Sequence, residues 1–344
     1  MRSACPRCVL RPFDLRGEVG YPCVAADEHD KGGSDMDEYP PVVVVGAAAM
    51  DTKGRPDKGL TAGTSCEGDI RISVGGSARN VAENLARLGV PTTLLTAVGK
   101  DGSGRRILHQ AQESGINVDR VIVTDEYHTA AYMTIYDERG EPAYSIHDMD
   151  ILSLITPQYL YYNRRVIAES ALIAVDANLS PRALRSLFAL ARKHKIRVCA
   201  DPTTVGLAAR LKPYLGELYM VTPNAAEAEA LTGLPVTNKA RALRAAKALV
   251  GMGVRLAIVT LAEKGLCYAT SEASGTLPAV PCEIVDLTGA GDALTAAVIF
   301  GLLNEMDVDD AVRLGLAAAA ATIGCEETVC PDLSVDILYE KLVV

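Results

Sequence analysis

Residues 286–292, Asp286-Leu287-Thr288-Gly289-Ala290-Gly291-Asp292, carry the types and spacing of a phosphoryl-transfer site. An apolar run leads into the two glycines, and the alanine-rich segment after them predicts a helix over 290–303. Glycine has no Cβ, so the backbone at Gly289 and Gly291 can turn sharply and bring its N–H groups close to a ligand. Free N–H groups and the dipole at a helix N-terminus both favour an anion. Asp292 sets a carboxylate beside that anion hole. A carboxylate next to bound phosphate is repelled unless it has work there, and the economical task is to take a proton from a substrate hydroxyl. The plainer use of Gly-Ala-Gly-Asp is a turn with an Asp cap. A dinucleotide fingerprint does not fit, because Leu294 stands where its third small residue belongs.

Three other stretches could serve the same chemistry. Gly75-Gly76-Ser77-Ala78-Arg79-Asn80 opens a segment with apolar residues at helical spacing (Val81, Leu85, Leu88), which brings Asn80 to the first turn. Thr222-Pro223-Asn224-Ala225-Ala226-Glu227 puts an amide and a carboxylate three apart on one helix face, suited either to hydrated Mg²⁺ or to a capping box. Thr260-Leu261-Ala262-Glu263-Lys264-Gly265 is a turn after a strand that could border a nucleotide. No Gly-x-x-x-x-Gly-Lys-Ser/Thr occurs, so a P-loop is excluded.

Something must position these pieces. Val42 to Val45 form a continuous apolar run, the pattern of a strand covered on both faces, and Asp51 is expected at its carboxyl end, where ligands gather in open α/β sheets. Strand patterns follow at 92–97, 120–123, 171–175, 197–200, 219–221 and 255–260. Helical patterns occur at 104–113, 181–193, 225–232, 239–250, 290–303 and 308–323. The alternation predicts an α/β fold with a parallel sheet between helices. Two parts break the rhythm: a glycine-rich excursion at 52–74, and a hairpin with its turn near Gly140. Together they could form a small separate sheet, a lid that keeps water from a transferring phosphoryl group.

With 344 residues and a formal charge of -9, the chain can bury a sizeable core but offers no general nucleic-acid surface. No apolar run is long enough to span a bilayer. Nine cysteines, an odd number with no secretory signal, fit reduced thiols in the cytoplasm. Residues 1–35 differ from the rest. Cys5, Cys8, Cys23 and His29 could in principle hold zinc as an interaction module, but a disordered leader, or a start at Met36, fits their composition better.

From about Val42 onward the chain resembles the ribokinase/PfkB family of sugar and nucleoside kinases. The likeness rests on Gly75 to Asn80, on Asp286 to Asp292 and on Asn224 with Glu227 between them. It implies a ribokinase-like three-layer sandwich, with a mostly parallel central sheet and a β-sheet lid from about 52–74 and 124–148. It implies Asp292 as catalytic base, with Gly289, Ala290 and Gly291 as the anion hole. Asp51, Gly75, Gly76 and Asn80 would meet the sugar. Asn224 and Glu227 would organise Mg²⁺, with Asn224, Thr260 and Gly265 bordering ATP. Asp286 and Thr288 would form a monovalent-cation site for K⁺. A homodimer paired through lid strands is a further implication. Within the family, residues 147–151, 176–180 and 330–334 are similar to segments of bacterial pseudouridine kinases. That likeness places Tyr132, His147, Asp148 and Met149 near a uracil base. The alternatives are ribose, another sugar or a purine nucleoside as substrate, or a nucleoside-sensing protein that has lost turnover. Leu287, where many relatives carry a small polar residue, is the one departure.

Overall fold

The structure is a computed structural model that describes residues 40–140 and 142–342; the zinc, leader and Met36 expectations lie outside the described residues. The first half contains β1 (Val42–Val45), β2 (Ala49–Pro56), β3 (Gly68–Gly75), α1 (Ser77–Arg87), β4 (Thr92–Leu95), β5 (Ala97–Gly99), α2 (Gly102–Glu113), β6 (Ile122–Thr124), β7 (Ala131–Tyr136) and β8 (Pro142–Asp148). There follow α3 (Pro157–Tyr162), α4 (Arg164–Ala168), β9 (Leu172–Asp176), α5 (Pro181–His194), β10 (Arg197–Asp201), α6 (Val205–Ala208), β11 (Met220–Val221) and α7 (Ala225–Thr232). The last part holds α8 (Lys239–Gly251), β12 (Leu256–Thr260), β13 (Leu266–Ala269), β14 (Ser274–Leu277), α9 (Ala290–Leu303), α10 (Val308–Ile323) and α11 (Val335–Leu342).

Eight strands form the central sheet in the order β14-β13-β12-β11-β10-β9-β1-β4. Pairing is parallel from β4 to β12 and antiparallel at the β13 and β14 edge. Strand residues alternate between two cores. Val43, Val45, Ile173 and Val175 pack with α5, α7 and α8, while Val42, Val44, Leu172 and Ala174 pack with α1, α9 and α10. That two-sided burial explains why β1 is apolar at every position. The three-layer sandwich is therefore present. Helices α7, α9 and α10 have the bounds read from periodicity, α2, α5 and α8 differ from theirs by two residues or fewer, and the short α3, α4, α6 and α11 were not anticipated.

Two expectations need correction. The run at 92–97 is not one strand: the Thr96 hydroxyl donates to the Gly46 carbonyl at 2.6 Å, and β5 leaves the main sheet to pair with β6. Asp51 is not at the end of β1 either. It lies in β2, on a second sheet ordered β3-β2-β7-β8, whose strands come from the two stretches that broke the rhythm. The small sheet expected from these stretches is therefore present, with one face exposed and the other lining a cavity.

The lid faces differ sharply. Pairings of Asp51 with Tyr132, of Tyr132 with His147 and of Lys53 with Thr134 set these five residues on the face toward the main body. Ile70, Ile72, Met133, Tyr144 and Ile146 lie on the other face, each between 46% and 72% exposed. No helix among the described residues is long and apolar enough to cross a membrane.

Candidate active site

Two helix N-termini meet beside the lid. Helix α9 begins after Gly289, whose φ of 84° is the left-handed conformation that glycine adopts without cost. No side chain caps this end, so its first N–H groups remain available to an anion. Gly289 cannot carry a side chain: a Cβ there would stand 1.8 Å from the Thr328 carbonyl oxygen. At Gly291 a Cβ would meet nothing within 4 Å, so the turn has open space on that side.

Helix α1 begins after Gly76, again in positive φ and without a side-chain cap of its own. Asp176, at the end of β9, supplies what glycine lacks. Its Oδ2 accepts from the N–H groups of Ala47 at 2.6 Å and Ala78 at 3.3 Å, and its Oδ1 from Asn178 at 2.9 Å. One buried carboxylate thus joins the loop after β1, the start of α1 and the turn after β9. Gly46 makes room for it, since a Cβ there would lie 2.3 Å from Asp176 Oδ2.

Between these ends lies a cavity of about 590 Å³. Asp51, Gly76, Asn80, Tyr132, His147, Met149, Thr288, Gly289 and Asp292 line it, together with Asn178 of the 176–180 segment and with Thr203, Thr204 and Leu207, which sequence reasoning did not single out. Gly75 adjoins the cavity through Asp51, whose Oδ2 a Cβ on Gly75 would approach to 2.1 Å. Tyr132 and His147 stack on the lid wall with ring centroids 6.2 Å apart. Asp148 does not join them: its carboxylate accepts the Asp150 N–H at 3.1 Å and holds an exposed turn. Thr203, which also lines the cavity, keeps a non-glycine φ of 65°, with its N–H donated to Asp201 Oδ1 at 2.6 Å. Backbone strain of this kind persists only where the surroundings enforce it.

Asp292 is the third residue of α9, and its Oδ2 accepts from Asn80 Nδ2 at 2.8 Å. The amide is oriented by Arg79, whose Nη1 donates to Asn80 Oδ1 at 3.0 Å and to the Val74 carbonyl at 3.1 Å. Arg79 is itself fully buried and paired with Glu83. Burial raises the Asp292 carboxyl to about 7, against the lowering effect of the Asn80 hydrogen bond. Asp51 is raised to about 6, again by burial, with the Lys53 and Arg79 charges opposing. A carboxylate near neutrality is well matched to proton abstraction at ordinary pH.

Asn224 and Glu227 form a full capping box on α7: Asn224 Oδ1 accepts the Glu227 N–H, and Glu227 Oε2 accepts the Asn224 N–H, each at 3.0 Å. The structural use of this motif is therefore present. Half-buried Asp201 adds a carboxylate that the sequence did not flag. Burial pushes its pKa far up, and the nearby charges of Asp292 and Glu227 push it further. Among the described residues no three carboxylate, imidazole or thiol side chains are grouped closely enough to hold a metal ion, so a divalent cation here would keep most of its own waters. Thr260 bridges to Asn224 at the end of β12. Gly265 closes the following turn at φ 85°, where a Cβ would meet the Leu277 carbonyl at 2.1 Å.

Asp286 and Thr288 are together, but the cation between them belongs to the protein. Lys53 Nζ donates to Asp286 Oδ2 and to Thr288 Oγ, each at 2.6 Å. With an ammonium seated there, the pair does not fit a resident K⁺.

An uncapped helix start, a carboxylate with raised pKa and a lidded cavity of this size suit transfer of a phosphoryl group to an alcohol. Residues 40–333 match the pfkB family carbohydrate kinase model, and the chain belongs to that family. The pseudouridine kinase of Escherichia coli K12 is 30% identical over 87% of this chain and 96% of its own length. The guanosine-inosine kinase of Exiguobacterium acetylicum is 28% identical over 83% of this chain and 95% of its own. Among solved structures, Arabidopsis thaliana ribokinase complexed with ribose and ATP superposes with a TM-score of 0.77. It covers 89% of this chain and 99% of that one at 20% identity, a likeness of fold.

Proposed function

We propose that this protein phosphorylates the 5′-hydroxyl of pseudouridine with ATP, giving pseudouridine 5′-phosphate. The observation that supports the reading best is the position of Asp292, at the first turn of an uncapped helix and facing the same cavity as Asp51 and Asn80. Asp51 and Asn80 hold ribose hydroxyls. The base lies against Tyr132, His147 and Met149, with Asn178 and Thr203 across from it, where polar groups can pair with the uracil oxygens and N–H groups. Asp292 takes the proton as the 5′-oxygen attacks. The N–H groups at 289–291 stabilise charge on the γ-phosphoryl oxygens, a transfer that depends more on positioning than on a strong base. Mg²⁺, held through Asn224 and Glu227, would neutralise phosphate charge. Asn224, Thr260 and Gly265 border the nucleotide.

Two features support a homodimer in the cytoplasm: the apolar outer face of the lid, and the free thiols at Cys66, Cys199, Cys267, Cys282, Cys325 and Cys330.

The test is an acceptor panel of pseudouridine, uridine, inosine, adenosine and ribose with ATP, read as ADP release, and the phosphate ester located by ³¹P NMR. Pseudouridine should give the highest kcat/KM and a 5′-ester. Preference for ribose or a purine nucleoside would move the assignment to that substrate. Calorimetric binding with no ADP from any acceptor would make the protein a sensor.

A further inference from the structure

Lys53 is buried to 8% exposure although it sits on a lid strand, and nothing in its neighbourhood along the sequence explains that burial. Its partners lie more than 230 residues away: the Asp286 carboxylate and the Thr288 hydroxyl, three residues and one residue before Gly289 of the anion turn. Asp286 uses its two oxygens for different tasks. Oδ1 accepts the Thr288 N–H at 2.9 Å and shapes the turn, while Oδ2 accepts Lys53. Ammonium and potassium ions are of similar size and equal charge. An ammonium donating to a carboxylate and a hydroxyl therefore supplies the charge that a monovalent ion would bring to this turn.

It also supplies something that a free ion cannot. Lys53 is two residues after Asp51 on the same face of β2, about 7 Å further along the strand. The strand that presents a carboxylate to the acceptor therefore also grips the turn that receives the phosphate. We propose that the Lys53 ammonium is the built-in cation of the phosphate turn: it replaces a monovalent metal ion, makes the reaction independent of K⁺, and ties the lid to the anion hole. Lys53 is a positioning residue, acting through Asp286 and Thr288. The inference rests on the phosphoryl-transfer reading above.

The experiment compares wild type with Lys53→Ala at equal ionic strength in KCl, NaCl and tetramethylammonium chloride, measuring kcat, KM and thermal melting. Wild-type turnover and melting should be the same in all three salts. Lys53→Ala should lose at least about tenfold in kcat in tetramethylammonium chloride and regain much of it with K⁺ or with a small alkylammonium ion. Its melting temperature should rise in KCl alone. Wild-type activity or melting that increases with K⁺ over tetramethylammonium overturns the proposal. So does a Lys53→Ala protein that keeps full kcat without K⁺, or one that folds, is inactive and answers to no cation. Should Lys53→Ala fail to fold, the wild-type comparison still decides. Melting needs no turnover, so loss of the cation assignment is distinguishable from loss of the kinase reading, which would appear as no ADP from any acceptor.

Discussion

Asn80 and Asp292, 212 residues apart in the chain, are joined by a 2.8 Å hydrogen bond at the point where α1 and α9 meet the cavity. The amide can only donate through Nδ2, because Arg79 holds its oxygen. A hydrogen bond to the charged form of an acid lowers its pKa. Asn80 thus restrains an upward shift that burial would otherwise carry further. The base works only when ionised, so kcat/KM should fall as pH drops below about 7. Replacing Asn80 with Ala removes the restraint, and the acid limb should move to higher pH, beyond any loss in the pH-independent value. A pH profile of kcat/KM for both proteins checks this; an unmoved limb would mean that another group controls it.

Asp292→Asn keeps the shape and removes the base. Turnover should fall by roughly 10²–10⁴-fold, the usual contribution of a positioned base. Stability should move the other way. With its carboxyl raised to about 7, the native state holds a proton that the unfolded chain gives up near the ordinary value of 3.8. Between those values the folded state binds more protons, so wild-type stability declines as pH rises through the window. The Asn variant carries no such penalty. Its melting temperature should exceed that of wild type at pH 8, and the difference should shrink as pH falls toward 4. Calorimetry at several pH values measures it, and equal melting at pH 8 would show that Asp292 is not desolvated.

The sequence announced the parallel sheet because strands covered on both faces are apolar throughout, and helices with one buried stripe repeat every three or four residues. It also announced Asp292, Asn80 and the glycine turns, since glycine at those positions answers to a backbone demand that local sequence displays. Lys53 and Asp176 were not legible as functional. A lysine in a polar stretch is normally solvated, and only the pairing of β2 with β7 brings it to Asp286. Asp176 acts as a cap for a helix nearly a hundred residues earlier, a service that no local pattern records. Asp51 was noticed but given to the wrong strand, because β2 has one exposed face and lacks the apolar run that marked β1.

Gly289 and Gly291 look equivalent in sequence and are not. Alanine at Gly289 must adopt a left-handed backbone at about 1–2 kcal/mol and also collide with the Thr328 carbonyl. Thr328 in turn bonds to the Val74 carbonyl at 2.5 Å, next to the start of α1, so the disturbance would spread to both helix ends. Gly289→Ala should therefore melt several degrees lower and lose activity. Alanine at Gly291 meets no protein atom and should fold normally. Its methyl group would instead stand in the space open to phosphate, so the KM for ATP should rise about tenfold or more. Melting curves and ATP titrations of the two variants separate the roles; a normal ATP KM in Gly291→Ala would place the phosphate elsewhere.

The outer face of the lid sets the last prediction. Met133 pairs with Ile146 across β7 and β8, Thr52 of β2 pairs with both Ile72 and Met133, and the apolar members of this patch remain exposed. Contiguous apolar surface on a strand face commonly marks a protein–protein contact, and it also carries an aggregation risk if left open. If a second lid covers it, the wild-type chain should sediment as a homodimer at micromolar concentration. Charges on both partners of a two-fold contact would face one another, so Ile72→Lys with Ile146→Lys should yield a monomer. Neither side chain supports the sandwich core, and the melting of the main domain should change little. Activity should fall through the substrate KM more than through kcat, because the lid would lose its support while Asp292 and the 289–291 turn keep theirs. A wild-type protein that sediments as a monomer would leave the patch without a second copy of the chain to cover it.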